Sequence, residues 1–169
     1  MKHFFRIFLS LILISQSCFG QDTTALINSN WTNLKTRLQR RTDIISNLTT
    51  VLSRSKKIDK VELQNLKTYS IDLFNHVDTL TFKDSLSISL INTKNNKLTQ
   101  AISRTLVTLE NDMKFKNKNE VSRLLMQLEG CENQIALARL EYNEACKEYQ
   151  RPYLYFGNDK VDKAPEVKF

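Results

Sequence analysis

The chain has 169 residues, only 3 Gly and 2 Pro among them, and a formal net charge of +7. So few turn formers exclude a turn-rich β protein, and this length gives one domain beside a leader segment. The cations are interspersed with acids, densest at Arg40-Arg41 and Lys56-Lys57, with no basic face carrying interleaved aromatics, which excludes the usual form of nucleic-acid binder.

Residues 1–20 have three parts: a short basic start with Lys2 and Arg6, an apolar run over 7–14, and a small or polar close, Ser15-Gln16-Ser17-Cys18-Phe19-Gly20. This is the pattern of a secretory signal peptide, with cleavage after Gly20 leaving Gln21. The apolar run is shorter than the about 20 residues a membrane span requires. A lipid-modified Cys18 and a retained leader are the two rival outcomes, and all three put the domain outside the cytoplasm.

Asp22, Thr23 and Thr24 are N-cap residue types, so a first helix is expected from about Thr23 to Ser53. Its stripe is Ile27, Trp31, Leu34, Leu38, Arg41, Ile45, Leu48 and Leu52. Arg41 is the anomaly in an otherwise apolar row. Either it snorkels to water from the edge, or it is buried against a carboxylate, for which Asp43, Glu129 and Glu132 are the candidates.

Asp59 is the expected cap of a second helix ending near Thr79, with Val61, Leu66, Tyr69, Leu73 and Val77 inward and Leu63 and Phe74 beside them. His76 follows Asp72 by one turn, too few ligands for a metal site. The run 85–90 alternates like a strand, but no second strand exists to pair with it, so it reads as the start of a third helix. Residues 92–97 are strongly polar and are expected to project or fray. The helical pattern resumes with Leu98, Ile102, Leu106, Leu109 and Met113, and residues 114–119 read as a charged link.

The last helix, from Val121 to Tyr149, carries the longest seam. One row is Val121, Leu128, Ile135, Tyr142, Tyr149; the other is Leu124, Cys131, Ala138, Ala145. Seven-residue spacing over four heptads makes a stripe about 45 Å long at 1.5 Å per residue. Two stripes of matching length predict antiparallel packing: an all-α antiparallel bundle of three to four long helices with coiled-coil-like seams. Cys131 and Cys146 on one straight helix lie about 22 Å apart and should not pair. Arg151-Pro152 should end the helix. The following aromatics, Tyr153, Tyr155 and Phe156, either fold back over the bundle or form an exposed patch.

The run Leu128-Glu129-Gly130-Cys131-Glu132-Asn133-Gln134-Ile135-Ala136, with Ala138-Arg139 and Tyr142-Asn143-Glu144-Ala145, resembles the signature of the LemA family. So do Trp31 with residues 38–48, Glu110 as the start of an E-x-Y-P motif, and the closing Pro165-Glu166-Val167-Lys168-Phe169. Here Asp112-Met113 stands where the family has Tyr-Pro, so the chain break there is expected to be absent. The resemblance implies a bundle of long helices on the outer side of a membrane, commonly behind a membrane-spanning first segment, and brings no catalytic residues.

On this reading residues 1–20 are leader or anchor, 21–152 the bundle and 153–169 the tail. Arg41, Asp43, Asn47, Glu129, Glu132, Asn133, Arg139 and Asn143 are expected to form a polar girdle. Gly130, costly inside a helix, suggests a close crossing under Trp31 or another bulky side chain. Gly-rich phosphate loops, nucleophile elbows and di-iron Glu-x-x-His pairs are missing, so no catalytic, cofactor or metal residues are assigned. The leading expectation is a non-enzymatic envelope module that binds a protein partner or a membrane surface, with no nucleic acid. Its rival is a bundle that binds a small ligand or metal around Arg41, Glu129 and Glu132. Oligomeric state is not encoded legibly.

Overall fold

The computed structural model describes residues 2–79 and 85–157, with side chains from Thr24 onward. The elements in order are α1 (Lys2–Leu52), α2 (Lys60–Thr79), α3 (Ser85–Glu110), a single turn α4 (Met113–Lys116) and α5 (Asn119–Glu148), followed by a 3-10 turn over Pro152–Leu154. Among the described residues there are no strands. None of their helices is long and apolar enough to cross a membrane.

Each helix runs opposite to the neighbour it packs on. Along α1 and α5, Asn30 reaches the Glu141 carbonyl, Arg37 reaches Gln134, and Arg54 reaches Glu120. Along α1 and α2, Lys35 meets Asp78 and the Ser70 hydroxyl donates to the Thr42 carbonyl. Thr42 and Ser70 are both buried there, small enough to let two backbones approach. Along α2 and α3, Glu62 accepts from Thr108 and Asp72 from Lys94. The result is a four-helix bundle in which α1 lies between α2 and α5, and α3 packs on α2.

The heptad stripes form the core. Every apolar member of the α1 stripe is buried, as are all eight seam residues of α5 from Val121 to Ala145; Tyr149 is half-buried. Trp31 packs against the Tyr142 ring at 5.5 Å and the Phe156 ring at 6.3 Å, so it closes the core at one end of the bundle. Asp59 caps α2 through its side chain, which accepts from the Val61 N–H at 2.8 Å.

Six expectations are corrected. The helix does not begin at Thr23: α1 is continuous from Lys2, with no proline to interrupt it. Val61 and Met113 lie on outward faces, 64% and 53% exposed. Residues 92–97 do not fray; they are mid-helix in α3, where Asn92, Lys94 and Asn95 meet partners on other elements while Thr93 and Lys97 face outward. The chain does break near the missing Tyr-Pro, at Asn111-Asp112, and resumes as α4 with Phe115 buried. Asp112 supports that break by accepting from the Ser55 hydroxyl in the α1–α2 link. Cys146, expected beside the seam, is fully buried and free, as Cys131 is. Gly130 is exposed, and a Cβ there would meet nothing within 4 Å. No helix crosses over it.

The Gly130 finding reverses the expected effect of substitution. A helix-interior glycine with open space around it costs about 1 kcal/mol relative to alanine. Gly130→Ala should therefore raise the unfolding free energy in urea by about 0.5–1 kcal/mol. A destabilised Gly130→Ala would restore the close-packing idea.

Candidate functional site

Arg41 is the most deeply buried charge of the described bundle, its side chain 2% exposed. It leaves α1 at mid-bundle and points between α3 and α5. Its Nε lies 2.7 Å from Glu132 Oε1 on α5. Its two terminal nitrogens donate to Asn95 Oδ1 at 2.7 Å and Thr99 Oγ1 at 2.9 Å, both on α3. Asn95 and Thr99 are one helical turn apart, so a single face of α3 supplies both acceptors. Burial pulls the guanidinium below its ordinary value, and the Glu132 carboxylate opposes that pull. Each of the three nitrogens already has a partner, which makes the group a structural tie rather than a vacant anion receptor. Cys131 lies beside it on α5, and burial followed by the Glu132 charge raises its thiol, so it is not poised as a nucleophile.

The predicted girdle does not close as one network. Arg41 and Glu132 meet. Asp43, Asn47, Glu129 and Asn133 are exposed, on faces that turn away from Arg41 or stop short of it. Arg139 and Asn143 serve a different place, the return of the tail. There Asn143 on α5 accepts from the Phe156 N–H at 2.9 Å and donates to its carbonyl at 3.0 Å. Asn92 on α3 accepts from the Gly157 N–H at 2.7 Å. Two asparagines from facing helices thus hold the backbone of 156–157. Sequence reasoning missed Asn92, Asn95 and Thr99 because a polar stretch reads as solvent-facing. The signal that could have found them is their spacing on one helical face at the depth of Arg41.

The tail reaches this clamp through a defined reversal. Gln150 takes a left-handed φ of 56°, Arg151 N–H bonds the Cys146 carbonyl at 2.7 Å, and Gln150 N–H bonds that of Lys147 at 3.0 Å. This is a Schellman stop, with Pro152 preventing continuation. Leu154 and Phe156 are then buried while Tyr153 stays exposed. At Gly157, φ is +99°, a backbone conformation that strains any other residue, and a Cβ would crowd the Arg139 side chain at 3.2 Å.

The consequence for surface shape is a groove. No Cα of α3 comes within 8 Å of a Cα of α5. The gap is bridged at one end by α4 and at the other by the tail turn, each of which packs on both helices. Between them lies a cavity of about 500 Å³. Its walls are Ile102, Leu106 and Leu109 on α3 with Leu125 and Leu128 on α5, and Arg41 with Thr99 and Glu132 forms its polar end. Lys116 pairs with Glu110 on the rim. Glu129 is the carboxylate of this wall that neither ion pair uses. A larger cleft of about 760 Å³ lies between α1 and α2 near Ser53 and Lys60. Its Thr49, Thr50 and Ser53 hydroxyls are committed to carbonyls of their own helix. Among the described residues no group of three or more His, Cys, Asp and Glu stands close enough to hold a metal ion.

The tie makes an ordered prediction for stability. Arg41→Met leaves Glu132, Asn95 and Thr99 without their donor and should cost about 3 kcal/mol in urea unfolding, the low end for a broken buried pair because Glu132 can rehydrate. Glu132→Gln keeps an acceptor in place and should cost about 1–2 kcal/mol. Glu129→Gln should stay within about 0.5 kcal/mol of the parent. Equal losses for Glu129 and Glu132 would contradict the assignment.

A search of curated proteins gave no match. The family model described as the LemA family matches residues 30–169, which takes in the Trp31 end of α1, the Arg41 tie, α5 and the clamped tail. The chain belongs to the LemA family.

Proposed function

We propose that this LemA-family protein is a non-enzymatic module of the cell envelope that binds a segment of another protein in the groove between α3 and α5. The leader is read as a signal peptide cleaved after Gly20, so the module acts outside the cytoplasm. The observation that carries the reading is the wide seam: no Cα of α3 lies within 8 Å of a Cα of α5, and the cavity between the two helices has apolar walls. Apolar surface held apart in this way is stabilised by whatever fills it. The occupant the lining favours is a polypeptide segment with apolar side chains for Ile102, Leu106 and Leu125 and a basic residue for Glu129. Peptide segments commonly dock between helices in this manner, through a few apolar anchors and a polar rim. A small ligand or metal around Arg41, Glu129 and Glu132 is less favoured, since Asn95, Thr99 and Glu132 already engage each Arg41 nitrogen.

Ser103 tests this directly, because it is exposed, lines the groove and makes only a hydrogen bond back to its own helix. Ser103→Arg should leave the melting temperature within a few degrees of the parent, while the protein partner recovered by crosslinking in cells is lost. The same purification should give an N-terminus at Gln21. Undiminished recovery with Ser103→Arg would remove the groove from the reading. Recovery of lipid alone would favour a membrane-surface role.

A further inference from the structure

We propose that the cleft between α1 and α2, at the α4 end of the bundle, is a binding site for a phosphorylated polyol. The cleft has a volume of about 760 Å³. Arg54, Lys56, Lys60 and Lys67 line it, and no carboxylate does. It shares no residue with the groove between α3 and α5, so it stands whether or not that groove takes a peptide.

The two walls differ in chemistry. On α1, Ser46, Thr49, Thr50 and Ser53 follow the i, i+3, i+4, i+7 spacing of one helical face, so this wall is made of hydroxyl side chains. Thr49, Thr50 and Ser53 donate to carbonyls of their own helix, which leaves their oxygen lone pairs to accept from a ligand. On α2, Lys60, Leu63, Gln64 and Lys67 repeat the same spacing. Lys60 and Lys67 are two turns apart, about 10 Å along the helix, so one extended ligand can meet both. Arg54 and Lys56 add charge from the α1–α2 link.

The fold does not account for these charges. Of the doublet Lys56-Lys57, Lys57 turns away to Asp112 and the Asn111 carbonyl, while Lys56 stays in the cleft. Arg54 keeps one contact, with Glu120 on α5. Lys56, Lys60 and Lys67 are exposed and make no ion pair or side-chain hydrogen bond among the described residues. The neighbouring carboxylates are used elsewhere: Asp59 caps α2, and Glu62 accepts from Thr108 on α3. Asp43 stands a turn beyond Ser46, outside the lining. Lys60 moreover opens α2, where the helix dipole disfavours a cation. Like charges gathered around a concave surface repel one another and focus a positive potential, and a bound anion relieves that cost. Phosphate oxygens accept from several ammonium groups at once, and the alcohols of a polyol suit the hydroxyl wall. No aromatic ring lines the cleft, which disfavours a nucleobase.

The test titrates the full chain with fructose 1,6-bisphosphate at physiological salt, read by calorimetry and by backbone amide NMR. Amides of Ser53, Lys56 and Gln64 should shift most. Combining Lys56→Gln, Lys60→Gln and Lys67→Gln should weaken binding by about tenfold or more. Combining Lys97→Gln, Lys114→Gln and Arg123→Gln removes the same charge from exposed sites elsewhere and should change it by less than about twofold. A second arm sediments vesicles of phosphatidylglycerol and phosphatidylcholine in equal parts. Vesicle binding that the cleft variant loses, without binding of the free bisphosphate, keeps the site and makes its ligand a lipid headgroup. Equal losses in the two variants, shifts centred elsewhere, or no cleft-dependent binding in either arm overturn the proposal. Because the three lysines repel one another, the cleft variant should melt no lower than the parent. A clear fall in its melting temperature would assign the lysines to the fold and overturn the proposal too.

Discussion

A guanidinium carried into a helical core must bring its counter-charge and its acceptors with it, because left alone it costs several kcal/mol. Arg41 meets that requirement with one group from α5 and two from α3. The two backbones stay more than 8 Å apart at every Cα pair, yet both helices are tied to the same side chain of α1. Apolar burial holds α1 to α5 and α1 to α2 without direction. The Arg41 contacts add direction: they fix the rotation of α3, since only the face carrying Asn95 and Thr99 can meet the guanidinium. The polar middle of α3, which would otherwise be a weak point, becomes the part of that helix with the most specific bonds.

The bundle is completed at its two ends by chain that is barely helical. At one end α4 and the α1–α2 link meet through Ser55 and Asp112, with Phe115 buried beneath. At the other, the Schellman stop turns the tail back so that Phe156 closes over Trp31. These two plugs and the Arg41 tie hold α3 and α5 at a distance that the heptads alone would not set. The groove follows from that spacing, and the proposed function follows from the groove. Beside the lining, the Cys131 thiol has its value raised by burial, and the Arg41 guanidinium is engaged by Glu132, Asn95 and Thr99.

The packing rows were legible because side-chain period is a direct print of helix geometry. The apolar α1 stripe and the α5 seam from Val121 to Ala145 are buried, and Asp59 caps α2 where a cap was expected. Arg41 stood out for the same reason, as a charge in an apolar row. Its partners were not legible: Glu129 and Glu132 lie one turn apart, and which one faces α1 depends on the roll of α5, which the seam fixes only within a fraction of a turn. Residues 92–97 misled because hydrogen bonding between helices and hydration look alike in composition. Gly130 misled because a glycine in a helix has two causes, close approach and simple tolerance at an exposed site, and a single sequence does not separate them. Tertiary context decided each of these cases, through groups far away along the chain.

The central claim is that Arg41 orders the middle of α3. Native-state amide hydrogen exchange of the parent and of Arg41→Met measures this residue by residue. If Arg41 is the tie, amides over 93–100 lose protection well beyond the global change in stability, while those in the α1–α5 seam fall only with it. If α3 keeps its protection relative to that seam, its placement comes from apolar packing on α2 alone, and the account given for the groove is wrong.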